Sequence, residues 1–103
     1  MDINNLFSGL VFDPQTELTY RLFETEGFRV ERIASSGQTS PVYDQEEHEW
    51  VLVLQGNADI LLLDQEETRT LRTGDHLFIP AHMRHQVTRT SADCLWLCVF
   101  WRH

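Results

Sequence analysis

From Leu18 onward, turn signals recur about every ten residues, and this spacing restricts the fold more than any other feature of the chain. Glu26-Gly27, Gln55-Gly56-Asn57, Thr73-Gly74-Asp75 and Ser91-Ala92-Asp93 are each rich in residues that turn a backbone, and Pro80 halts the run that begins at His76. The stretches between them are too short for helices of ordinary length. Residues 20–24, 28–34, 49–54, 58–63, 68–71, 76–79, 85–90 and 94–101 read as strands, several with side chains alternating between apolar and polar. Roughly eight or nine short strands at this interval predict an all-β sandwich or barrel, whose interior can hold a small ligand. Residues 1–16 lack the pattern. Asp13-Pro14 marks a turn there, and the segment is expected to form an N-terminal arm packing on a partner subunit, with residues 17–103 forming the barrel.

A chain of 103 residues has room for one core. At this size roughly 60–65% of the unfolded surface is buried, so a second copy is a common source of further stability. A homodimer is therefore expected, with exposed strand edges protected by pairing. The 16 acids outnumber the eight bases, all of them arginines, for a formal charge of −8. That balance argues against a nucleic-acid or anionic-membrane partner, which needs clustered cations. No apolar run approaches the roughly 20 residues that span a bilayer. Asp2 stands where a signal peptide would carry bases, so the expected compartment is the cytoplasm. Cys94 and Cys98, four apart in one strand, would lie about 13 Å apart on one face, too far to bond each other. Reduced thiols fit that compartment.

Two stretches carry more than β patterning. The first is Tyr43-Asp44-Gln45-Glu46-Glu47-His48-Glu49-Trp50, running to Gly56. The second is Gly74-Asp75-His76-Leu77-Phe78-Ile79-Pro80-Ala81-His82-Met83-Arg84-His85. A carboxylate followed by apolar residues, as Glu49 is, is costly to bury unless paired, hydrogen-bonded or bound to a metal. By parity Tyr43, Gln45, Glu47 and Glu49 share a face with Val51 and Val53, whereas Asp44, Glu46, His48 and Trp50 point the other way. His85, Val87 and Arg89 likewise share one face, which would aim Arg89 inward as an anchor for a carboxylate group, or into an ion pair. No nucleophile elbow, P-loop or dinucleotide fingerprint is present.

The two stretches resemble the paired motifs of the cupin superfamily over about residues 37–101. Glu49 and Gly56 match the Glu and Gly of the first motif, spacing included. Gly74, Pro80 and His85 match the second, with His82 where the family prefers Gly. The resemblance implies an antiparallel jelly-roll barrel. It also implies a divalent metal (Zn, Ni, Mn or Fe) held by two His, the Glu and the second-motif His. Here the His pair is missing: its positions fall on Tyr43 and Gln45. Glu49 and His85 remain, and Gln45, His82 or Tyr43 would have to complete the set, since a firm site wants at least three protein ligands.

The expected function is a small-molecule site in a cupin barrel that binds a divalent metal and takes a small polar substrate. The alternative is a metal-free, non-catalytic cupin that binds a ligand or partner. A third reading is metal-free acid–base chemistry by His85 and a carboxylate, as in sugar epimerases of similar fold. Trp50, Trp96 and Trp101 read as core or interface aromatics, His76 as a surface residue, and His103 as a fraying end.

Overall fold

The computed structural model describes residues 3–102, so His103 and the acid at position 2 lie outside the described residues. The strands are β1 (Leu18–Thr25), β2 (Phe28–Ser35), β3 (His48–Gln55), β4 (Asn57–Leu62), β5 (Glu67–Arg72), β6 (His76–Ile79), β7 (His85–Thr90) and β8 (Cys94–Trp101). A 3-10 turn, Leu63–Gln65, separates β4 from β5. Pairing is antiparallel throughout. One sheet runs β1-β2-β8-β3-β6 and a second runs β5-β4-β7, giving a jelly roll whose two sheets face each other without closing. Among the described residues no helix is long and apolar enough to cross a membrane.

Alternation places the core. Val51 and Val53 of β3, Ala58, Ile60 and Leu62 of β4, and Cys94, Trp96, Cys98 and Phe100 of β8 all turn into the space between the sheets. Each large apolar side chain buried there contributes roughly 1.5–3 kcal/mol. The outward parity of β3 and β8 presents His48, Trp50 and Trp101 instead. His48 packs against Phe78 and Trp101 at 5.8 and 5.7 Å, and Trp50 Nε1 donates to His76 Nδ1 at 3.2 Å. Only Trp96 of the three tryptophans lies inside, where its Nε1 donates to Ser35 Oγ at 3.0 Å. Both cysteines are buried and free.

Two local features set the geometry of the interior. Gly56 (φ +79°) carries the chain from β3 in one sheet to β4 in the other, a conformation that a Cβ disfavours. In β7 the ladder pairs Asp59 with Arg89 and Ile60 with Val87, leaving Thr88 as an extra, bulged residue. Before the arm reaches β1 it is held on its own jelly roll. Arg32 Nη1 donates to the carbonyls of Leu6 and Ser8 at 3.0 and 2.8 Å, and Gln38 Nε2 to that of Asp13 at 2.8 Å.

Candidate functional site

Between the sheets lies a cavity of about 270 Å³ with an apolar floor that includes Val51, Ile60, Ile79 and Trp96. Its polar centre is made by one residue from each sheet. Glu49 comes from β3, next to the strand start, and His85 opens β7. Both are buried, at 8% and 3% exposure. His85 Nδ1 lies 2.8 Å from the Met83 carbonyl, which can only accept, so Nδ1 carries the proton. Nε2 faces the cavity, 3.7 Å from Glu49 Oε1.

Glu49 has further partners. Gln45 Nε2 donates to Oε1 at 3.3 Å, and the Cys98 thiol donates to the same carboxyl. Burial pushes the Glu49 carboxyl above its usual range, although His85, Cys98, Gln45 and Arg29 all act in the opposite direction. Burial likewise raises the Cys98 thiol well above the ordinary value, with Glu49 adding to it. Tyr43 covers His85: the rings are 5.4 Å apart, and the two backbones exchange hydrogen bonds of 2.7 and 3.1 Å. Burial raises the Tyr43 phenol too, helped by Glu17 and Glu49, so the phenol keeps its proton at neutral pH.

The structure thus brings together four of the six residues singled out from the sequence: Glu49, His85, Gln45 and Tyr43. The other two stand apart. His82 is exposed at the rim, with Nδ1 2.8 Å from Asp44 Oδ1. Its φ of +65° is the conformation a glycine would take more easily at that point. It serves the site only through its backbone, whose N–H donates to the Gln45 carbonyl at 2.8 Å. Arg89 does not line the cavity. The bulge at Thr88 reverses the parity of β7, so Arg89 turns outward and its Nε donates to Asp59 Oδ2 at 3.0 Å. The ion pair, not the anchor, is what the strand builds.

Several lining residues had no motif to announce them. Arg29 and Glu31 reach the cavity from β2, and Glu17 and Ser40 from the segments flanking the first hairpin. Arg29 is bound by Glu47 and Glu31; burial works against its charge, but these two acids outweigh it and hold the guanidinium above its usual value. The alternation of Arg29 and Glu31 with Val30 puts both on one face of β2 but does not mark that face as interior.

The donors present do not fit a divalent metal. Nε2 of His85 and a Glu49 oxygen are two ligands, fewer than the three a firm site wants. Gln45 turns its amide nitrogen, not its oxygen, toward the carboxylate. Cys98 is held as a thiol. Among the described residues no group of three or more His, Cys, Asp or Glu is placed to hold a metal ion.

Comparison with known proteins agrees with the fold. The cupin domain family model matches residues 29–100, and this chain belongs to that family. A protein of Ralstonia eutropha JMP134, named a "putative mannose-6-phosphate isomerase", is 36% identical over 100% of both chains, with a TM-score of 0.93. The TT1209 protein from Thermus thermophilus is 26% identical, covering 99% of this chain and 98% of that one, at a TM-score of 0.82. An RmlC-like cupin from Desulfovibrio desulfuricans is 25% identical, covering 98% and 96%, at 0.81. Comparison with curated proteins gives no match.

Proposed function

We propose that this cupin acts on a small polar molecule by metal-independent proton transfer, with His85 as base and Glu49 as its acid partner. One observation carries the reading: the Nε2 of a buried imidazole, whose Nδ1 is tied to the Met83 carbonyl, faces a carboxyl raised by burial, 3.7 Å away. A substrate atom approaching the pair from the cavity meets Nε2 on one side. On the other it meets a carboxyl whose protonated form is favoured by its surroundings. Nε2 takes a proton from the substrate, and protonated Glu49 returns one to a neighbouring atom. Tyr43 contributes a neutral hydroxyl, and the apolar floor excludes water from the transfer. The Ralstonia protein named for an isomerase supports this class, because aldose–ketose isomerisation moves a proton between adjacent carbons. The two free thiols support a reducing compartment such as the cytoplasm.

The test is solvent exchange. Purified protein is incubated in D2O with a panel of small hydroxyaldehydes and hydroxyketones, with and without an amino substituent, and deuterium beside the carbonyl is followed by NMR. Exchange with at least one compound is expected, with His85→Gln and Glu49→Gln each slowing it by about 10²-fold or more. Exchange that survives both substitutions, or none with any compound, would overturn the proposal. Exchange abolished by a chelator and restored by Zn, Ni, Mn or Fe would replace it with the metal-dependent reading.

A further inference from the structure

We infer that the cavity selects a small cationic ligand, a primary amine, and turns away phosphate- and carboxylate-bearing molecules. The inference rests on the cavity being the ligand site of the proposed function, and it adds the chemical class of that ligand. Two independent features carry it: the charge of the lining and its inventory of hydrogen-bond donors.

Three carboxyl groups line the cavity, from Glu17, Glu31 and Glu49, and one guanidinium does so, from Arg29. Arg29 is already committed. Its Nη1 bonds Glu47, its Nε bonds Glu31 at 3.3 Å, and its plane lies 4.0 Å over the Phe100 ring. Arg21, at the exposed surface, approaches Glu31 from outside at 3.5 Å. Arg84 and Arg89 are fastened outside the cavity to Asp64 and Asp59. An anionic ligand would therefore enter a space facing several acids, and the one guanidinium there already has two of its nitrogens on carboxylates.

The donor count agrees. Trp96 Nε1 donates to Ser35 Oγ, and Ser35 donates on to Glu17 Oε2 at 2.5 Å. Gln45 and Cys98 both donate to Glu49. The N–H of His85 points away, to Met83. What remains for a ligand is mainly acceptors: Nε2 of His85, and carboxylate oxygens of Glu17 and Glu31. The hydroxyls of Thr19 and Tyr43 can serve either way. A group that offers three donors and no acceptor satisfies this set, and an ammonium is that group. Its carbon skeleton would rest on Ile60, Ile79 and Trp96. The Ralstonia protein's name includes a phosphate ester; that part of the name finds no counterpart in this lining.

The inference is tested with four probes: cyclopentylamine, cyclopentanol, cyclopentanecarboxylate and inorganic phosphate. Each is titrated at neutral pH and low salt into isotope-labelled protein, and the Trp96 indole N–H reports occupancy of the floor. The amine should shift that signal with an affinity at least about tenfold above the alcohol, as expected for one charge facing carboxylates in a partly dry site. Carboxylate and phosphate should leave it unmoved. In Glu17→Gln, and separately in Glu31→Gln, the preference of amine over alcohol should shrink severalfold. A Trp96 signal that still responds to the alcohol also shows that the variant is folded. Equal affinity of amine and alcohol, or tighter binding of either anion, would overturn the inference while leaving proton exchange untouched. No shift with any probe would overturn it together with its premise that the cavity is a ligand site.

Discussion

Gly56 and Gly74 form a controlled pair for separating backbone strain from crowding. Both have positive φ, at +79° and +89°. A Cβ built on Gly74 meets nothing within 4 Å. The same atom on Gly56 would press on Ser91 Oγ well inside contact distance, with Asp93 Oδ1 at 2.9 Å and the Asp93 carbonyl oxygen at 3.0 Å. Ser91 cannot swing aside freely, because its Oγ accepts the Asn57 N–H at 3.0 Å. Gly74→Ala should therefore lose only the left-handed strain, about 1–2 kcal/mol. Gly56→Ala adds crowding of about 1–3 kcal/mol and endangers a hydrogen bond worth about 1 kcal/mol, for a total near 3–6 kcal/mol. At about 4–8 °C per kcal/mol for a domain of this size, the extra loss of roughly 2–4 kcal/mol lowers Tm by at least about 8 °C more. Thermal denaturation of both variants measures this, and Gly56→Ala in a Ser91→Ala background should show a penalty about 1 kcal/mol smaller. If the two glycine variants melt within about 2 °C of each other, the close approach at Gly56 has no energetic weight and the reasoning fails.

Two further outcomes are expected. Because burial raises Glu49, its protonated form is favoured in the folded chain, so that contribution is complete at pH below the ordinary carboxylate value of about 4.3 and is lost as pH rises through the folded value. Glu49→Gln should therefore gain on the native protein in melting temperature between pH 4 and pH 8; a difference that stays constant over that range would refute the burial argument. Strand β1 is an eight-residue sheet edge with Tyr20, Leu22 and Phe23 exposed, and it should pair with a second copy. Sedimentation at micromolar concentration should give twice the 12.1 kDa chain mass, and a monomer would exclude this pairing.

The turns and the alternation made the architecture legible, since Gly56, Gly74 and Pro80 mark where strands must end, and parity alone sent Glu49 inward and Trp50 outward. The two motifs brought Glu49 and His85 to one place although 36 positions separate them, reckoned from their residue numbers. Tyr43 and Gln45 followed from the same parity. Arg89 could not be read correctly, because a bulge depends on how many residues the partner strand supplies, and β4 supplies one fewer than β7 between Asp59 and Ile60. His82 looked like a ligand by type, yet its left-handed backbone turns the ring to Asp44 at the rim. The charged residues of β2 were hidden for another reason. Charged residues in a strand ordinarily face water, and only the closeness of the second sheet makes the side bearing Arg29 and Glu31 an interior.

The extra residue in β7 also bears on how the chain can change over evolutionary time. Because the ladder already skips Thr88, losing one residue there would leave His85 and Val87 facing the cavity and Thr90 facing the core. Losing Gln86 instead would move His85 one place along the ladder and turn it to solvent. In an alignment of related sequences, a gap at the first position is compatible with an intact site, and a gap two residues earlier marks a site that has been dismantled even where the histidine is retained.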